Sequence, residues 1–244
     1  IDQEGGRVAR LGAPHWFEFT PALQQSENVY AERAFWLRGR LIAENLRLSG
    51  IDVNCAPLGD IAQPDTHHIL RNRCYGTDKS QVIINARALN SGLRHGGISG
   101  VLKHIPGHGR AKLDSHLALP KVLLDQAVLE DTDFSVFKEL KEMDMGMTAH
   151  LIFDQLDPKN PATQSPTVIN MIRNEIGFTG LLITDDISMN ALEGNLKTRA
   201  LKALGAGCDI VLHCNGVLQE MKLLHQNSTE LAGNSLDRAK LSIN

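Results

Sequence analysis

Two short stretches of the 244-residue chain carry side chains that could do acid–base or nucleophilic chemistry. In the first, Asp114 and His116 lie two residues apart, so in an extended segment both side chains point to the same side. A carboxylate beside an imidazole fixes its tautomer and stabilises the imidazolium, which favours His116 as a general acid and base near neutral pH. From this stretch alone, a chance pairing on a solvent-exposed loop is the alternative.

The second stretch is the acidic pair Asp185 and Asp186, which follows the apolar residues 180–183. Adjacent side chains of a strand point to opposite faces, so we expect only one of the two carboxylates to face a site. Such a carboxylate can act as a nucleophile, a base or a metal ligand, whereas Asp186 also suits the start of a turn or helix. The residue types predict a hydrolase or transferase that uses an Asp and a His, and they do not name its substrate.

A histidine-rich segment, residues 103–109 (KHIPGHG), raises the alternative of a metal site. His104 and His108 are four residues apart, a spacing that brings two rings to one face of a helix. Pro106 and the two glycines disfavour a helix here. A loop could still gather four side chains around zinc: His104, His108, Asp114 and His116. We expect no metal and no organic cofactor, and phosphate loops of the Walker or GxGxxG type are absent from the sequence.

The segments that must position these residues alternate regularly between helix and strand. Helical patterns cover residues 27–48, 79–95, 132–142, 166–176, 195–205 and 217–225, and short apolar strands cover 51–56, 98–104, 145–150, 180–185 and 208–213. This alternation predicts an α/β protein with a parallel sheet, built either as a doubly wound sheet or as a (β/α)8 barrel.

Polar side chains stand at the carboxyl ends of successive predicted strands. They are Asp2, Asp60, Lys103, His104, His150, Thr184, Asp185, Asp186, His213, Cys214 and Asn215. Ligands bind beyond the carboxyl ends of the strands in both architectures. The series therefore favours one active site at the top of a barrel over a set of unrelated loop residues.

The composition limits the classes of partner that the chain is expected to bind. A net charge of −3, from 25 Lys+Arg and 28 Asp+Glu, gives no basic excess for nucleic acid, and 5% aromatic residues disfavour base stacking. No apolar run approaches the roughly 20 residues that span a bilayer, and the chain opens without a secretion signal, so we expect no membrane partner. The four dispersed cysteines predict reduced thiols buried in the core and, with the absent signal, a cytoplasmic location.

Several longer strings resemble glycoside hydrolase family 3. Residues 171–175 (MIRNE) and 180–188 (GLLITDDIS) resemble the active-site signature of the family. The strings at 1–11 (IDQEGGRVARL), 103–109, 114–116 (DSH) and 147–150 (MTAH) resemble its branch of bacterial β-N-acetylglucosaminidases, which are β-hexosaminidases of peptidoglycan recycling. The resemblance covers the chain from residue 1 to about residue 216.

The resemblance implies a single-domain (β/α)8 barrel over residues 1–244 and a retaining double displacement. It implies Asp185 as the nucleophile and His116 as the acid/base, oriented by Asp114, in place of the carboxylate that other family 3 enzymes take from another domain. The residues implied to hold the hydroxyls and the acetamido group of the sugar are Asp2, Arg10, Arg73, Lys103 and His104.

The sequence departs from the family pattern in two places. Where relatives have GDRSF, residues 71–75 read RNRCY, so Asn72 replaces the Asp that would orient Arg73. Relatives also carry about two further strand segments before IDQEGG, and we expect the barrel to lack its first βα unit and most of strand 2. The resulting open sheet edge would lower stability or be covered by a second copy of the chain, as a homo-oligomer.

We therefore expect an exo-acting enzyme that releases terminal, non-reducing N-acetylglucosamine from peptidoglycan fragments (muropeptides) through a covalent glycosyl-aspartate. Three alternatives stay open. The first is a family 3 β-glucosidase or β-xylosidase. The second is a phosphorylase-type variant, in which a neutral histidine base admits phosphate where a carboxylate would repel it. The third is an inactive sugar-binding fragment.

Overall fold

The structure, a computed structural model, describes residues 1–112 and 119–243. Within these residues the strands are β1 (Val53–Asn54), β2 (Ser99–Ile105), β3 (Lys121–Val122), β4 (Met145–Thr148), β5 (Ile152–Phe153), β6 (Leu181–Asp186) and β7 (Ile210–Leu212). Five of them form a parallel sheet in the order β1-β2-β4-β6-β7, and β3 pairs with β5 in a small second sheet. The first residue lies beside β1, because the backbone N–H of Cys55 donates to the carbonyl of Ile1 at 2.7 Å and the amino group of Ile1 donates to the carbonyl of Val53 at 3.1 Å.

Helices precede, connect and follow the parallel strands. They are α1 (Ala22–Ser26), α2 (Ala31–Leu48), α3 (His68–Arg71), α4 (Lys79–His95), α5 (Gln126–Asp131), α6 (Asp133–Glu139), α7 (Pro166–Met171), α8 (Leu196–Ala206), α9 (Leu218–Asn227) and α10 (Gly233–Ser242). A 3-10 turn (Ala162–Gln164) precedes α7, and a π-helical turn (Ile172–Ile176) extends it. The predicted α/β class with a parallel, barrel-type sheet is confirmed, and the described part is a half-barrel.

The two faces of the sheet bury different side chains. Leu102 and Leu182 belong to the large core between sheet and helices, whereas Val101, Met147 and Ile183 belong to a second cluster on the concave face. This division follows from the alternation of side chains along a strand. The same alternation continues to the carboxyl end of β6 and places residue 185 on the concave side.

Several predicted segments differ from the observed ones. The helix predicted for residues 27–48 begins at Ala31, because the Asn28 side chain accepts from the backbone N–H of Tyr30 and holds a turn there. The helix predicted for residues 132–142 is α6, which ends earlier, at Glu139, and a further helix that was not predicted, α5, precedes it. The chain bends between them, where the buried Asp133 pairs with Arg110 (Nε to Oδ2, 2.9 Å).

Helix α10, which the sequence patterns did not predict, lies at the amino ends of the strands. Ala239 joins the cluster on the concave face, and Arg238 donates to Asp209, which directly precedes β7, at 2.8 Å. The hydroxyl of Ser99, at the start of β2, donates to the carbonyl of Ser242. Helix α10 therefore closes the end of the half-barrel opposite the carboxyl ends of the strands. None of the helices in the described ranges is long and apolar enough to cross a membrane.

Candidate active site

A cavity of about 440 Å³ opens at the carboxyl ends of the strands. Six residues that the sequence predicted for the site line it together: Asp2, Arg10, Arg73, Lys103, His104 and Asp185. They come from the first residues of the chain, the segment after α3, the end of β2 and the end of β6. The other two predicted residues, Asp114 and His116, lie outside the described residues.

Asp185 is the second-last residue of strand β6 and lines the cavity. Burial alone would raise the pKa of its carboxyl, but the imidazoles of His150 and His104, the backbone N–H of Asp186 and the Lys103 ammonium together lower that pKa to about 2. The N–H of Asp186 donates to Asp185 Oδ1 at 2.8 Å and fixes the orientation of the carboxylate. Asp185 is therefore ionised near neutral pH and held in one position, as a nucleophile requires.

The neighbouring carboxylate of Asp186 is used differently. It accepts from the backbone N–H of Ser188 at 3.0 Å, from the Ser188 hydroxyl at 2.6 Å and from the backbone N–H of Cys214 at 3.1 Å. These three hydrogen bonds tie the turn after β6 to the segment after β7. Asp186 thus stabilises the loop, and Asp185 is the carboxylate left for chemistry.

A buried ion network holds Arg73 and Lys103 beside the cavity. The Glu4 carboxylate accepts from Arg73 Nε at 2.9 Å and Nη2 at 2.8 Å, and Lys103 Nζ lies 2.7 Å from Glu4 Oε1. The side chains of Glu4 and Lys103 are each 2% exposed. Burial would raise the pKa of Glu4, but Arg73 and Lys103 lower it to about 2. Burial would lower the pKa of Lys103, but Glu4 and Asp2 raise it above its usual value.

Asp2 connects this network to solvent. Lys103 Nζ donates to Asp2 Oδ1 at 3.0 Å, and Arg10 Nη2 lies 3.4 Å from Asp2 Oδ2 with an exposed guanidinium. An exposed pair of this length contributes little to stability. Arg10 is therefore free to turn toward a ligand in the cavity, whereas Lys103 is fixed.

His104 is oriented by a buried carboxylate. Its Nδ1 lies 2.7 Å from Asp60 Oδ2, and Asp60 also accepts from the backbone N–H of His108. Burial would raise the pKa of Asp60, but the two histidines lower it, so Asp60 is an acceptor and His104 Nδ1 carries a proton. His104 Nε2 lies 4.0 Å from Asp185 Oδ2. The strand register shifts between Lys103 and Ile105, which lets two consecutive residues contribute to one site.

Sequence reasoning missed Glu4 and left open what orients Arg73. Asn72 is not needed for that purpose, because Glu4 binds the guanidinium through two oxygens from a position 69 residues away. No local signal distinguishes Glu4 from an exposed acid, since its role depends on which strand ends meet. Asp60 carried a signal, because it follows a predicted strand.

The prediction that all four cysteines are buried is wrong for one of them. Cys55, Cys74 and Cys208 are buried, but Cys214 is exposed and lines the cavity. It lies just beyond the end of β7, where the chain turns over the site instead of entering the core.

The described parts of the chain do not provide a set of ligands for the zinc site considered above. Within residues 1–112 and 119–243, no group of three or more His, Cys, Asp or Glu side chains is placed to hold a metal ion. Burial, together with the neighbouring His104, lowers the pKa of His108 to about 4, so this ring is neutral. The fold and the site together define a barrel-type α/β enzyme with one ionised carboxylate in a polar, ligand-sized pocket.

Comparison with known proteins identifies the family. Residues 1–240 match the glycosyl hydrolase family 3 N-terminal domain. The chain is 32% identical over 250 residues to a β-hexosaminidase of Methylobacillus flagellatus, covering 98% of this chain and 70% of the relative. It is 34% identical over 226 residues to a β-hexosaminidase of Neisseria meningitidis, covering 88% of this chain and 62% of the relative. The chain thus spans about two thirds of the length of these curated relatives.

A solved structure has the same fold. The crystal structure of NagZ from Neisseria gonorrhoeae, in complex with N-trifluoroacetyl-D-glucosamine, superposes with a TM-score of 0.88 at 30% identity. The match covers 98% of this chain and 71% of that one. The chain belongs to glycosyl hydrolase family 3, which confirms the resemblance inferred from its sequence and places it among the glycoside hydrolases.

Proposed function

We propose that this chain is the catalytic domain of a retaining exo-β-N-acetylglucosaminidase. The observation that carries the proposal is Asp185, an ionised carboxylate at a strand end, oriented by a backbone N–H within a pocket of fixed charged groups. A retaining glycosidase needs such a group against one face of an oxocarbenium-like centre. The finer proposal is that the natural substrates are muropeptide fragments and that the enzyme acts in the cytoplasm.

The proposed reaction has two steps. In the first, Asp185 attacks the anomeric carbon, the glycosidic bond breaks, and the leaving oxygen takes a proton, for which we propose His116 as the donor with Asp114 as its orienting partner. In the second, water attacks the anomeric carbon of the glycosyl-aspartate, the bond to Asp185 breaks, and His116 takes the proton of the water.

The charged groups around Asp185 suit the hydroxyls of a sugar. Arg73 and Lys103 present N–H donors that are already fixed by Glu4, so little conformational entropy is lost when they bind a hydroxyl. Asp2 presents an acceptor at the same rim, and Arg10 can turn in from solvent. These contacts support a subsite for one terminal sugar, which an exo-acting enzyme requires.

The names of the relatives favour a substrate whose terminal sugar carries an acetamido group. The M. flagellatus and N. meningitidis proteins are named β-hexosaminidases, and the N. gonorrhoeae structure contains a glucosamine derivative. The competing activity within the family is that of a β-glucosidase or β-xylosidase. The two proposals differ in the group required at the sugar 2-position.

Hydrolysis of two chromogenic substrates separates these activities. We expect kcat/KM for 4-nitrophenyl N-acetyl-β-glucosaminide to exceed that for the β-glucoside by at least about 10²-fold, because a site built around a hydrogen-bonded group rejects analogues that lack it. Nitrophenolate release at 405 nm measures both. A preference for the glucoside would establish the competing activity, and no turnover of either would remove the proposal.

The acid role of His116 predicts a dependence on the leaving group. We expect His116→Ala to lose much more activity on an N-acetylglucosaminyl disaccharide than on the nitrophenyl substrate, because nitrophenolate leaves without protonation and a sugar oxygen does not. His95→Ala, at the exposed end of α4, is the matched control. Equal losses on both substrates would exclude His116 as the acid.

A further inference from the structure

His150 is a fully buried histidine that the reaction above does not use. It follows β4, which ends at Thr148, and its ring contacts two neighbours. His150 Nε2 lies 3.1 Å from the carbonyl oxygen of Asp186, and His150 Nδ1 lies 2.8 Å from the hydroxyl of Thr163. The His150 ring therefore contacts the main chain of Asp186, the residue that follows Asp185.

The contacts determine where the protons lie. A carbonyl oxygen has no proton to give, so His150 Nε2 must carry one and donate it to Asp186. Burial lowers the pKa of His150, although the charge of Asp185 opposes this effect, so the ring is neutral and Nδ1 is an acceptor. The Thr163 hydroxyl has one proton and two acceptors in reach, His150 Nδ1 at 2.8 Å and the carbonyl of Ala149 at 3.0 Å. Because the neutral ring carries its proton on Nε2, its Nδ1 has none to give and Thr163 is the donor of that contact. The Thr148 hydroxyl, 2.8 Å from that of Thr163, then donates to Thr163.

The three side chains of Thr148, Thr163 and His150 form a hydrogen-bonded relay that is shielded from water. Thr148 ends β4, Thr163 lies in the 3-10 turn before α7, and His150 lies between them in the chain. All three side chains are fully buried. Since a buried polar group without a partner costs free energy, these donors and acceptors fix one another in one arrangement.

The relay ends on the main chain that orients the nucleophile. His150 holds the carbonyl of Asp186, and the N–H of the same residue donates to Asp185 Oδ1 at 2.8 Å. We propose that Thr148, Thr163 and His150 are positioning residues, which hold the Asp186 main chain so that its N–H keeps the Asp185 carboxylate in line for attack. The kinetic consequence of this role rests on the proposed glycosidase function, whereas its structural consequence does not.

The test compares Thr163→Val with Thr163→Ser. Valine has nearly the shape of threonine but removes the proton donor to His150, whereas serine keeps it. We expect kcat for the nitrophenyl N-acetylglucosaminide to fall about 10- to 100-fold in T163V, as for other residues that orient a catalytic group, with KM changed less than about 2-fold. T163S should stay within about 3-fold of the unmodified chain, because the hydroxyl remains. Equal kcat values in both variants would overturn the proposal.

A second measurement does not depend on turnover. We expect the Asp185 carboxyl, followed by ¹³C NMR, to titrate at a higher pH in T163V than in T163S, because the Asp186 N–H is no longer held against it. Identical titrations would overturn the positioning role even if the chain hydrolyses no glycoside. A chain without turnover whose Asp185 titration does differ would remove the glycosidase proposal and keep this one.

The unmodified chain supplies a third measurement, which needs no variant to fold. We expect ¹⁵N NMR at pH 7 to show His150 protonated at Nε2 and unprotonated at Nδ1. A ring protonated at Nδ1, or at both nitrogens, would overturn the relay, because Thr163 could then not be its donor.

Discussion

Replacing Asp185 with asparagine should lower kcat/KM for 4-nitrophenyl N-acetyl-β-glucosaminide by at least about 10³-fold, a loss expected when a covalent nucleophile is removed. The amide has the shape of the carboxylate but cannot form the glycosyl-enzyme bond, so the two-step route is closed. Nitrophenolate release under steady-state conditions measures the effect. Circular dichroism and N-acetylglucosamine binding show whether the fold and the sugar subsite are intact.

A matched control separates this loss from a general effect of removing an acid. Asp125 is exposed and precedes α5 without a side-chain capping hydrogen bond, so Asp125→Asn should leave turnover unchanged. Asp185→Ala offers a further check, because azide can enter the space left by the carboxylate and attack the anomeric carbon, while the bond to nitrophenolate breaks and a glycosyl azide forms. Turnover of Asp185→Asn within about tenfold of the unmodified chain would contradict the nucleophile role.

Replacing Glu4 with glutamine should destabilise the fold by about 3–5 kcal/mol, the cost of breaking a buried ion pair by removing one partner. Lys103 and Arg73 would keep their charges in a site that is almost closed to water, with Asp2 as the remaining carboxylate of the network. Because Glu4 also fixes the direction of the Arg73 guanidinium, sugar binding should weaken together with stability. Urea unfolding followed by circular dichroism measures the first effect, and KM measures the second.

The pH dependence of this effect has a definite sign. The pKa of Glu4 is about 2 in the folded chain against an ordinary value of 4.5, so its stabilising contribution is fully present above pH 4.5. The contribution is lost as the pH falls from 4.5 through about 2, and the difference between the unmodified chain and Glu4→Gln should shrink over this interval. Glu44→Gln removes an exposed pair with Arg47 and should change stability by less than about 0.5 kcal/mol. Equal urea midpoints for the Glu4 and Glu44 variants would contradict the buried-network account.

Local patterns were sufficient for most of the fold that positions the site. Helix α4 begins and ends where its periodicity predicted, since Asp78 caps its first turn through the backbone N–H of Gln81. The start of α7 at residue 166 was also predicted, and the Ser165 side chain caps it by accepting from the backbone N–H of Val168. Residues that determine these boundaries lie within one helical turn of them, which is why the sequence reveals them.

Segments whose structure depends on distant partners were not predicted. Helix α10 has a weak apolar pattern, and it is held by Asp209 and by the concave face of the sheet. Helix α5 precedes the predicted helix, and the junction between α5 and α6 is held by Arg110, which binds Asp133. Neither partner can be identified from the neighbouring residues.

The sequence by itself determined the α/β class, the family, and the position of Asp185 and other polar side chains near the strand ends. These features follow from local periodicity and from motif strings. Only the tertiary structure decided that Glu4 orients Arg73, that Asp60 orients His104 and that His150 faces the main chain beside Asp185. The physical reason is that burial and the identity of a charged neighbour arise when strands far apart in the chain meet. The same carboxylate side chain is solvated in one place and a fixed, ionised part of the site in another.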